Sequence, residues 1–344
     1  MTPPPGRRGY AMPAEWAPHR ATWIAWPHNE EDWPGKFAPI PWAYGEIVRR
    51  LCRNERVRVL VGNGAEEKKA RAVLKKVGAD LKQVDFHRVP TDRVWTRDSG
   101  AIFVRDAEGR RIATHWKFNG WAKYPNHTRD DRVPSRMAEA TRVPEYPVAV
   151  NGRDVVMEGG AIDVDGKGTL LATEECLLSR VQARNPSLGR DGIERVFADV
   201  LGIRRVVWLG RGIAGDDTHG HIDDLARFVA PGRVLLCQES NRKDENYRPL
   251  RENLERLRAA KLEVIPLPMP APLYFEDTRV PASYANFYIA NGCVLVPTFN
   301  DPQDRRALGI LADCFPDREI VGIHCVDFVW GLGTLHCATQ QEPA

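Results

Sequence analysis

Short apolar segments recur along this chain as paired strands joined by tight turns. Each pair opens with a polar or acidic lead-in, runs as an apolar strand, turns at a glycine and returns as a second apolar strand. Four such pairs begin at Arg97, Glu158, His221 and Ser283. Their turn centres read E-G, D-G, P-G and N-G, and glycine supplies the positive φ that tight hairpin turns need. The pattern therefore predicts four β-hairpins.

The four hairpins repeat at a nearly constant interval. Equivalent positions in their first strands are Ile102, Ile162, Phe228 and Tyr288, which lie 60, 66 and 60 residues apart. A repeat of this length indicates a radial array of similar units. Apolar periodicity also predicts helices over 65–77, 191–201 and 247–260, and strands over 57–61, 204–209 and 262–266. Each unit is thus predicted to be a ββαβ module.

The two ends of the chain are predicted to complete a fifth module. A strand over 21–26 has no local partner, and residues 320–341 hold about one module's worth of strand. Their pairing would close a ring, so we expect an α/β fold: a five-bladed pseudo-symmetric α/β propeller in one domain over residues 1–344. The alternative is an ordinary α/β sheet with coincidental hairpins. Ring closure would bring the polar lead-ins together at the centre.

Composition argues against several classes of function. The net charge of +3 is small and the basic residues are scattered, which does not favour nucleic-acid binding. No apolar run approaches the roughly 20 residues of a membrane helix, and the N-terminus lacks a secretory h-region. Seven cysteines without a C-x-x-C pair disfavour both a disulfide framework and a structural zinc site. We expect a cytoplasmic protein without nucleic-acid or membrane partners.

The lead-ins that would converge carry one thiol, one imidazole and three carboxylates. These are Cys337, His221, Asp98, Glu158 and Asp223. Three carboxylates in one pocket repel one another unless a cation lies among them. A guanidinium suits this place because it is planar, permanently charged and pairs with carboxylates through parallel hydrogen bonds. Cysteine would attack its central carbon, and histidine would protonate the departing nitrogen and later deprotonate water.

Several motifs then identify a resemblance to a known family. They are M-P-A-E-W-A-P-H-R-A-T-W-I-A-W-P from Met12, D-W at Asp32-Trp33, W-T-R-D-S-G from Trp95, E-G-G from Glu158, G-H-I-D-D from Gly220 and H-C-A-T-Q-Q from His336. The chain resembles the agmatine deiminase and bacterial (Porphyromonas-type) peptidylarginine deiminase family of the guanidine-modifying superfamily. The resemblance covers residues 12 to 341 and implies the same fold, known as the pentein fold.

The resemblance also implies a role for each motif residue. Cys337 resembles the nucleophile that forms a covalent amidino intermediate, and His221 the general acid and base. Glu158 resembles the carboxylate that orients that histidine. Asp98 and Asp223 resemble the pair that grips the guanidinium, and Trp95 resembles a pocket-lining residue. Trp33 is expected either to line the pocket or to pack beneath it. No metal or organic cofactor is implied, and homo-oligomers are expected by analogy.

Some neighbouring residues have competing interpretations. Asp98 could form a plain ion pair with Arg97, and His219 with His221 could bind a metal, making the protein a metal-dependent hydrolase. On a strand, alternation would point Asp224 away from the site. His324-Cys325 imitates His336-Cys337 but lies in an apolar segment that indicates core. These alternatives leave the carboxylates, His221 and Cys337 as the principal candidates.

The chain departs from the agmatine deiminase pattern where the far end of a substrate would be recognised. The departures are Ser99-Gly100-Ala101, the loop 331–337, Pro34-Gly35-Lys36 and the stretch from Phe118 to Asp131. The expected reaction is hydrolytic deimination of a small guanidino compound, first of all agmatine, which would give N-carbamoylputrescine and ammonia. Free arginine, peptidylarginine and amidino transfer are the alternatives. Arg93, Lys123 and Arg129 are candidates for an acidic tail.

Overall fold

Paired strands and crossover helices alternate along the whole chain. The computed structural model describes residues 3–344, and within them the chain forms twenty strands. In chain order they are β1 (His19–Ala25), β2 (Arg56–Val61), β3 (Val84–Arg88), β4 (Ile102–Arg105), β5 (Arg111–His115), β6 (Glu145–Pro147), β7 (Ala149–Val150), β8 (Arg153–Asp154), β9 (Asp163–Val164), β10 (Thr169–Thr173), β11 (Arg205–Leu209), β12 (Ala226–Ala230), β13 (Arg233–Gln238), β14 (Glu263–Pro268), β15 (Tyr274–Phe275), β16 (Thr278–Arg279), β17 (Tyr288–Ile289), β18 (Cys293–Thr298), β19 (Glu319–His324) and β20 (Gln340–Pro343).

Eight α-helices connect these strands within the same residues. They are α1 (Ile40–Leu51), α2 (Gly64–Lys76), α3 (Thr96–Ser99), α4 (Val133–Thr141), α5 (Glu174–Leu178), α6 (Arg190–Leu201), α7 (Tyr247–Ala259) and α8 (Gln303–Cys314). Their starts follow local chemistry: the Asn63 side chain accepts hydrogen bonds from the first turn of α2, and the Thr173 hydroxyl caps α5. Their apolar faces pack on the sheets; in α6, for example, Ile193, Phe197 and Leu201 are buried.

Five sheets share one strand arrangement, in which an antiparallel pair is followed by a parallel third strand. Four of them are β4-β5-β6, β9-β10-β11, β12-β13-β14 and β17-β18-β19. The fifth, in the described residues, is β20-β1-β2-β3: the last strand of the chain pairs antiparallel with the first, and β2 and β3 follow in parallel. Helices lie in the connections between the parallel strands. The predicted ββαβ repeat is therefore confirmed, and the alternative of one ordinary α/β sheet is wrong.

Hydrogen bonds link each of these sheets or its lead-in to the next and return to the first. One bond at each junction is Gly160 N to Asp98 Oδ1 (3.1 Å), Phe228 N to Asp163 Oδ2 (2.6 Å), Arg227 Nη1 to the Phe287 carbonyl (2.7 Å), Thr22 Oγ1 to Tyr288 Oη (2.6 Å) and Gln340 Nε2 to the Ala101 carbonyl (2.8 Å). The beginnings of the first strands therefore face one another, and the polar lead-ins meet there.

The observed elements differ from the predicted ones in a few places. The strand predicted over 21–26 does have a local partner, because β1 pairs in parallel with β2 as well as with β20. Residues 320–341 contain two strands, β19 and β20, in different sheets. Three of the four turn glycines have positive φ, but Gly292 does not. A Cβ on Gly292 would lie 2.3 Å from Cγ of the exposed Asn54 side chain, which would have to move to admit it.

Several global properties follow from the same description. In residues 3–344 no helix is long and apolar enough to cross a bilayer, and all seven cysteines are free thiols. Large buried side chains such as Trp23, Tyr44 and Phe287 fill the interior. The assignment of residues 1–344 to a single domain stays a prediction, and residues 1 and 2 lie outside the described part.

Candidate active site

A cavity of about 250 Å³ opens at the place where the lead-ins meet. Cys337 and Asp98 contribute to its wall, together with the indole rings of Trp95 and Trp121. Its remaining lining residues are Glu31, Asp32, Pro34, Arg93, Tyr124, Asp217, Thr218, Thr278, Trp330, Gly331, Leu332 and Gly333. The cavity thus combines aromatic walls, a thiol and acidic groups.

The loop before Cys337 is shaped by close backbone approach. A Cβ on Gly331 would lie 2.6 Å from the Trp33 ring, and one on Gly333 would lie 2.9 Å from the Trp95 ring. Leu332 between them has a φ of +66°, a left-handed conformation that closes the turn. The two glycines therefore allow this loop to pack against the tryptophans and present Cys337 to the cavity.

The Cys337 thiol lies among polar groups. Asn286 Nδ2 donates to Sγ at 3.1 Å, and the thiol donates to Oδ2 of Asp223 at 3.5 Å. Burial raises the pKa of the Cys337 thiol well above its usual range, and the carboxylates of Asp223, Asp224 and Asp98 raise it further. A cation that entered the cavity would offset those charges and favour the thiolate.

Asp98 lies at the cavity wall on the short helix α3. Its Oδ2 accepts from Trp121 Nε1 at 3.0 Å and its Oδ1 accepts from the Gly160 amide. Burial raises the pKa of Asp98 to about 7, and the carboxylates of Asp223 and Glu158 add to that effect although His221 opposes it. The Arg97 guanidinium pairs with Glu15 instead, at 3.0 Å, so the plain ion-pair interpretation is wrong for Asp98.

His221 is fully buried among carboxylates. Its Nε2 lies 3.7 Å from Oε2 of Glu158, and its Nδ1 lies 3.8 Å from Oδ1 of Asp98 and 3.9 Å from Oδ1 of Asp223. Neither ring nitrogen has a hydrogen-bond partner within residues 3–344. Burial alone would lower the pKa of His221, but Asp98 and the adjoining groups outweigh it and the pKa is raised well above the usual value. The imidazole is therefore held as a cation among these carboxylates.

Glu158 is paired with an arginine that the sequence did not point to. Nε of Arg184 lies 3.1 Å from Oε1 of Glu158, and both side chains are fully buried. Burial would raise the pKa of Glu158, but the charge of Arg184 and the adjacent His221 imidazolium lower it to about 2. Glu158 is thus a permanent carboxylate at one edge of the His221 ring.

Asp223 and Asp224 both lie near the thiol. One carboxylate oxygen of each and Sγ of Cys337 lie within 4.8 Å of one another. The expectation that Asp224 points away is wrong because residues 222–224 form a 3-10 helix and the strand β12 begins only at Ala226. Burial would raise the pKa of Asp223, but a 2.7 Å hydrogen bond from Nδ1 of His336 lowers it. The pKa of Asp224 is raised by burial and by Asp223.

Of the predicted site residues, Cys337, Asp98 and Trp95 line the cavity, whereas Glu158, His221, Asp223 and Trp33 are not among its lining residues. Trp33 is fully buried, donates from Nε1 to the Phe328 carbonyl at 2.8 Å and packs 5.6 Å from Trp95, ring centre to ring centre. It supports the wall from behind, so the packing alternative fits its position and direct contact with a ligand does not. Trp95 does line the cavity. Cys325 is buried in the core, in agreement with its interpretation as a core residue.

His219 does not lie where it could bind a metal together with His221. Its φ is +70°, and its Nε2 lies 3.2 Å from the hydroxyl of Ser179 in a separate groove. Within residues 3–344, two groups of three potential metal ligands have atoms within 4.8 Å of one another: Glu158 with Cys176 and His221, and Asp223 with Asp224 and Cys337. Neither contains His219, so the His-x-His pair proposed for a metal hydrolase is not assembled.

The candidate cations for an acidic substrate tail already have carboxylate partners. Arg93 donates to Asp32 at 2.5 Å, Lys123 lies 3.3 Å from Asp217, and Arg129 lies 3.7 Å from Asp92. Of these three only Arg93 lines the cavity. Three of the charged residues at the mouth of the cavity are acidic, Glu31, Asp32 and Asp217, and one, Arg93, is basic. The lining residues there therefore carry more negative than positive charge.

Several residues of the site were missed by sequence reasoning. Glu15 and His336 lie in motifs that were recognised, yet neither was given a role. Trp121 lies in the stretch 118–131, which was expected to lie near the far end of a substrate, but Trp121 itself was given no role. Arg184 carries no local pattern, because only the fold brings it to Glu158. Asn286 lies in the lead-in of the fourth predicted hairpin, which begins at Ser283, so the predicted convergence of the lead-ins was a signal that could have found it.

The chain is similar over nearly its whole length to known proteins. A family model of Porphyromonas-type peptidyl-arginine deiminases matches residues 11–343. The chain is 36% identical to the agmatine deiminase of Stutzerimonas stutzeri, with 100% of this chain and 98% of that protein aligned. Among solved structures, an agmatine deiminase of Enterococcus faecalis superposes with a TM-score of 0.90 at 31% identity, covering 100% of this chain and 98% of that one.

A second solved structure extends the comparison to a substrate complex. A cysteine-to-serine variant of the C. jejuni agmatine deiminase with substrate bound superposes with a TM-score of 0.87 at 28% identity. The alignment covers 97% of this chain and 96% of that one. The family model matches almost the whole chain, and the relative from Stutzerimonas stutzeri aligns over nearly its full length. The chain therefore belongs to the Porphyromonas-type peptidyl-arginine deiminase family.

Proposed function

We propose that this protein hydrolyses agmatine to N-carbamoylputrescine and ammonia, as a hydrolase acting on a C–N bond of a linear amidine. The observation that carries the proposal is the position of Cys337: its Sγ faces a cavity also lined by Asp98 and lies 3.5 Å from Asp223. A nucleophile between two carboxylates suits a cationic electrophile. Full-length relatives named as agmatine deiminases support the same reaction.

Asp98 and Asp223 are the groups we assign to the guanidinium. Charge-assisted hydrogen bonds from a guanidinium to carboxylates are stronger than neutral ones and fix the plane of the group. The rings of Trp95 and Trp121 in the wall offer faces against which a planar cation stacks favourably. The substrate would thus be held with its central carbon facing Sγ.

Substrate binding would also activate the nucleophile. In the free site the nearby carboxylates disfavour the thiolate, so the thiol is protonated at neutral pH. The bound guanidinium offsets these charges and lowers the pKa of Cys337. Activation then depends on the presence of the cation, which limits reaction of the thiol with other electrophiles.

The chemistry proceeds in two halves around His221. Sγ forms a bond to the guanidinium carbon, and the C–N bond to a terminal nitrogen breaks as His221 donates a proton, so that ammonia leaves. The carbon is then held on sulfur as a substituted thiouronium. Water gives one proton to His221 and attacks this carbon. The C–S bond then breaks to return the thiolate, and the second proton of the attacking water passes to solvent, where it converts the released ammonia to ammonium, as a neutral urea product leaves. Glu158 keeps His221 oriented and charged for the first step.

The mouth of the cavity favours a substrate with a cationic tail. Glu31 lies there and, within residues 3–344, has no ion-pair partner, whereas Asp217 is already paired with Lys123. Arg93, which would attract a carboxylate, is neutralised by Asp32. Agmatine ends in an ammonium whereas arginine carries a carboxylate as well. This balance supports agmatine over free arginine.

An ammonia-release assay over agmatine, arginine, a peptidylarginine and a linear diguanidine tests the proposal. We expect agmatine to have the highest kcat/KM. Turnover of peptidylarginine alone would overturn the assignment to a small substrate. Reaction in ¹⁸O-labelled water should place one label in the urea product, whereas transfer to an added amine would indicate an amidinotransferase.

The metal-dependent alternative has its own control. We expect full turnover after dialysis against a strong chelator, because the proposed steps use only side chains of the chain. Loss of activity that is restored by a divalent metal would favour the metal hydrolase. A cytoplasmic location and assembly into a homo-oligomer stay predictions.

A further inference from the structure

His336, the residue before the thiol, is held between two carboxylates. Its Nδ1 lies 2.7 Å from Oδ2 of Asp223 and its Nε2 lies 2.8 Å from Oε2 of Glu15. All three side chains are buried. An ionised carboxylate only accepts hydrogen bonds, and a neutral imidazole has one N–H and one lone pair. Both contacts are satisfied together only if both ring nitrogens carry a proton.

Glu15 is the fixed end of this arrangement. Besides His336, its carboxylate accepts from Arg97 Nη2 at 3.0 Å, from Arg227 Nη2 at 2.8 Å and from the Ile289 amide at 2.9 Å. The group therefore has four donors and no freedom to turn. Such a carboxylate stays ionised: burial raises its pKa, but Arg227, His336 and Arg97 outweigh that and lower it well below the usual range.

The charges of the surrounding cluster balance. Arg227 also pairs with Asp163, whose Oδ1 lies 3.0 Å from its Nε. Three carboxylates, Glu15, Asp163 and Asp223, thus face three cations, Arg97, Arg227 and a doubly protonated His336. A buried charge without a partner is unfavourable, and the contacts of His336 set one ring nitrogen against each of two carboxylates, Asp223 and Glu15. The cluster extends from the N-terminal segment to the cavity.

We propose that Glu15 is a positioning residue for the reaction, which through a permanently protonated His336 keeps Asp223 ionised and aimed at the guanidinium site. The proposal rests on the proposed function for its kinetic consequence. The two histidines near the thiol then have separate tasks: His221 exchanges protons with substrate and water, whereas His336 holds both of its protons throughout. Glu15 acts on Asp223 without touching the substrate.

Glu15→Gln tests the proposal because it changes charge and almost nothing in shape. The side-chain amide of the variant would donate its N–H to Nε2 of His336, which would leave a neutral ring that still donates from Nδ1 to Asp223. The hydrogen bond to Asp223 is kept while the neighbouring positive charge is lost. We expect KM for agmatine to rise about tenfold or more, with a smaller change in kcat, because binding of the cation depends on the charge of Asp223.

Glu55→Gln is the matched control. Glu55 is a second buried carboxylate near a histidine: its Oε2 accepts from the Asn291 amide at 2.8 Å, and it lies 3.5 Å from Nδ1 of His19. Within residues 3–344 its hydrogen-bond and ion-pair partners do not include His336 or Asp223. We expect this variant to lose stability while KM stays unchanged. If both variants only reduce the active fraction and leave KM alone, Glu15 is merely structural and the proposal is overturned.

A spectroscopic measurement tests the protonation directly and needs no turnover. In protein labelled with ¹⁵N-histidine at about pH 8, where exposed histidines are neutral, both ring nitrogens of His336 should resonate in the protonated range. His336→Gln identifies the signals by their absence. In Glu15→Gln, Nε2 should shift into the range of a lone-pair nitrogen while Nδ1 does not.

The two measurements separate the possible failures. A lone-pair nitrogen on His336 in the wild-type chain overturns the relay, whether or not agmatine is turned over and whether or not Glu15→Gln folds. Absence of turnover on every guanidine, with both nitrogens protonated, would instead overturn the proposed function. The affinity for agmatine, measured by calorimetry on the two glutamate variants, would then replace KM as the test of Asp223.

Discussion

The indole Nε1 of Trp121 donates a hydrogen bond to Oδ2 of Asp98 at 3.0 Å. This contact connects the stretch 118–131, which was expected only near the far end of a substrate, to a carboxylate that we assign to the guanidinium. The donor favours the ionised form of Asp98, whose pKa burial and the other carboxylates raise to about 7 even with this bond in place. The loop therefore contributes to the charge of the site as well as to its wall.

The pH dependence of the wild-type protein should report this group. Asp98 must be ionised to hold a cation, and its proton is taken up as the pH falls through about 7. The guanidinium itself stays charged, since its pKa is above about 12. We expect kcat/KM for agmatine to fall by about tenfold per pH unit below this point. A profile that stays flat to about pH 5.5 would contradict the assignment.

Trp121→Phe should move that acid limb. An aromatic ring is kept, but the indole N–H that donates to Oδ2 of Asp98 is removed, while the Gly160 amide still donates to Oδ1. The pKa of Asp98 should therefore rise, and the acid limb should shift to higher pH by about 0.5–1 unit, which corresponds to one ordinary hydrogen bond. Trp116→Phe is the control, because the Trp116 indole is buried elsewhere and donates to Thr114. An equal shift in both variants would show that the Trp121 bond is not the cause.

Gly160→Ala should abolish activity through sterics alone. A Cβ at this position would lie 2.7 Å from Oδ1 of Asp98 and 2.7 Å from Nδ1 of His221, so the added methyl must push them apart. We expect kcat/KM to fall by about 100-fold or more, since displacements near 1 Å cost rates of that order. Gly189→Ala has free space around its Cβ and ordinary φ, and should leave activity unchanged. Steady-state kinetics on folded protein distinguishes the two.

Cys337→Ala should remove the covalent step. We expect kcat to fall by about 1,000-fold or more, as is usual when a nucleophile is removed. Rapid acid quench of the wild-type protein with agmatine should give an adduct of substrate less ammonia by intact mass, and the variant should give none. Cys325→Ala, at a buried core thiol, should lower stability and retain the adduct. An adduct on Cys337→Ala would place the nucleophile elsewhere.

Arg184→Gln should affect stability and rate together. It leaves the Glu158 carboxylate buried without its cation, which we expect to cost about 3–5 kcal/mol of unfolding free energy. The pKa of Glu158 should rise from about 2, and weaker support of His221 should lower kcat by about 10- to 100-fold, a part of the usual general acid–base contribution. Arg184→Lys keeps the charge and should recover part of both losses. Denaturant unfolding and kinetics on the three proteins test this, and a stable, fully active Arg184→Gln would refute it.

The modules were predictable because their information is local. Alternating apolar residues and turn glycines define each hairpin, and the helices found at Gly64–Lys76, Arg190–Leu201 and Tyr247–Ala259 agree with the predicted ranges to within a residue or two. The candidate residues Asp98, Glu158, His221, Asp223 and Cys337 were likewise recognisable, because each lies in a motif at the start of a module or at the closing end. Their meeting at one place followed from the repeat.

The contacts that set the charges were not predictable, because they join side chains far apart in sequence. Arg184 reaches Glu158, Asn286 reaches Cys337, and Glu15 reaches His336 across separations of 26, 51 and 321 residues. The orientation of Asp224 was misjudged for a related reason: a 3-10 turn replaced the expected strand, and the alternation of side chains did not apply. By itself the sequence determined the repeated modules and which residues are candidates for the site. Only the tertiary structure decided which carboxylates are paired and which are left for a cation, because burial and distance, which no spacing records, determine the cost of each charge.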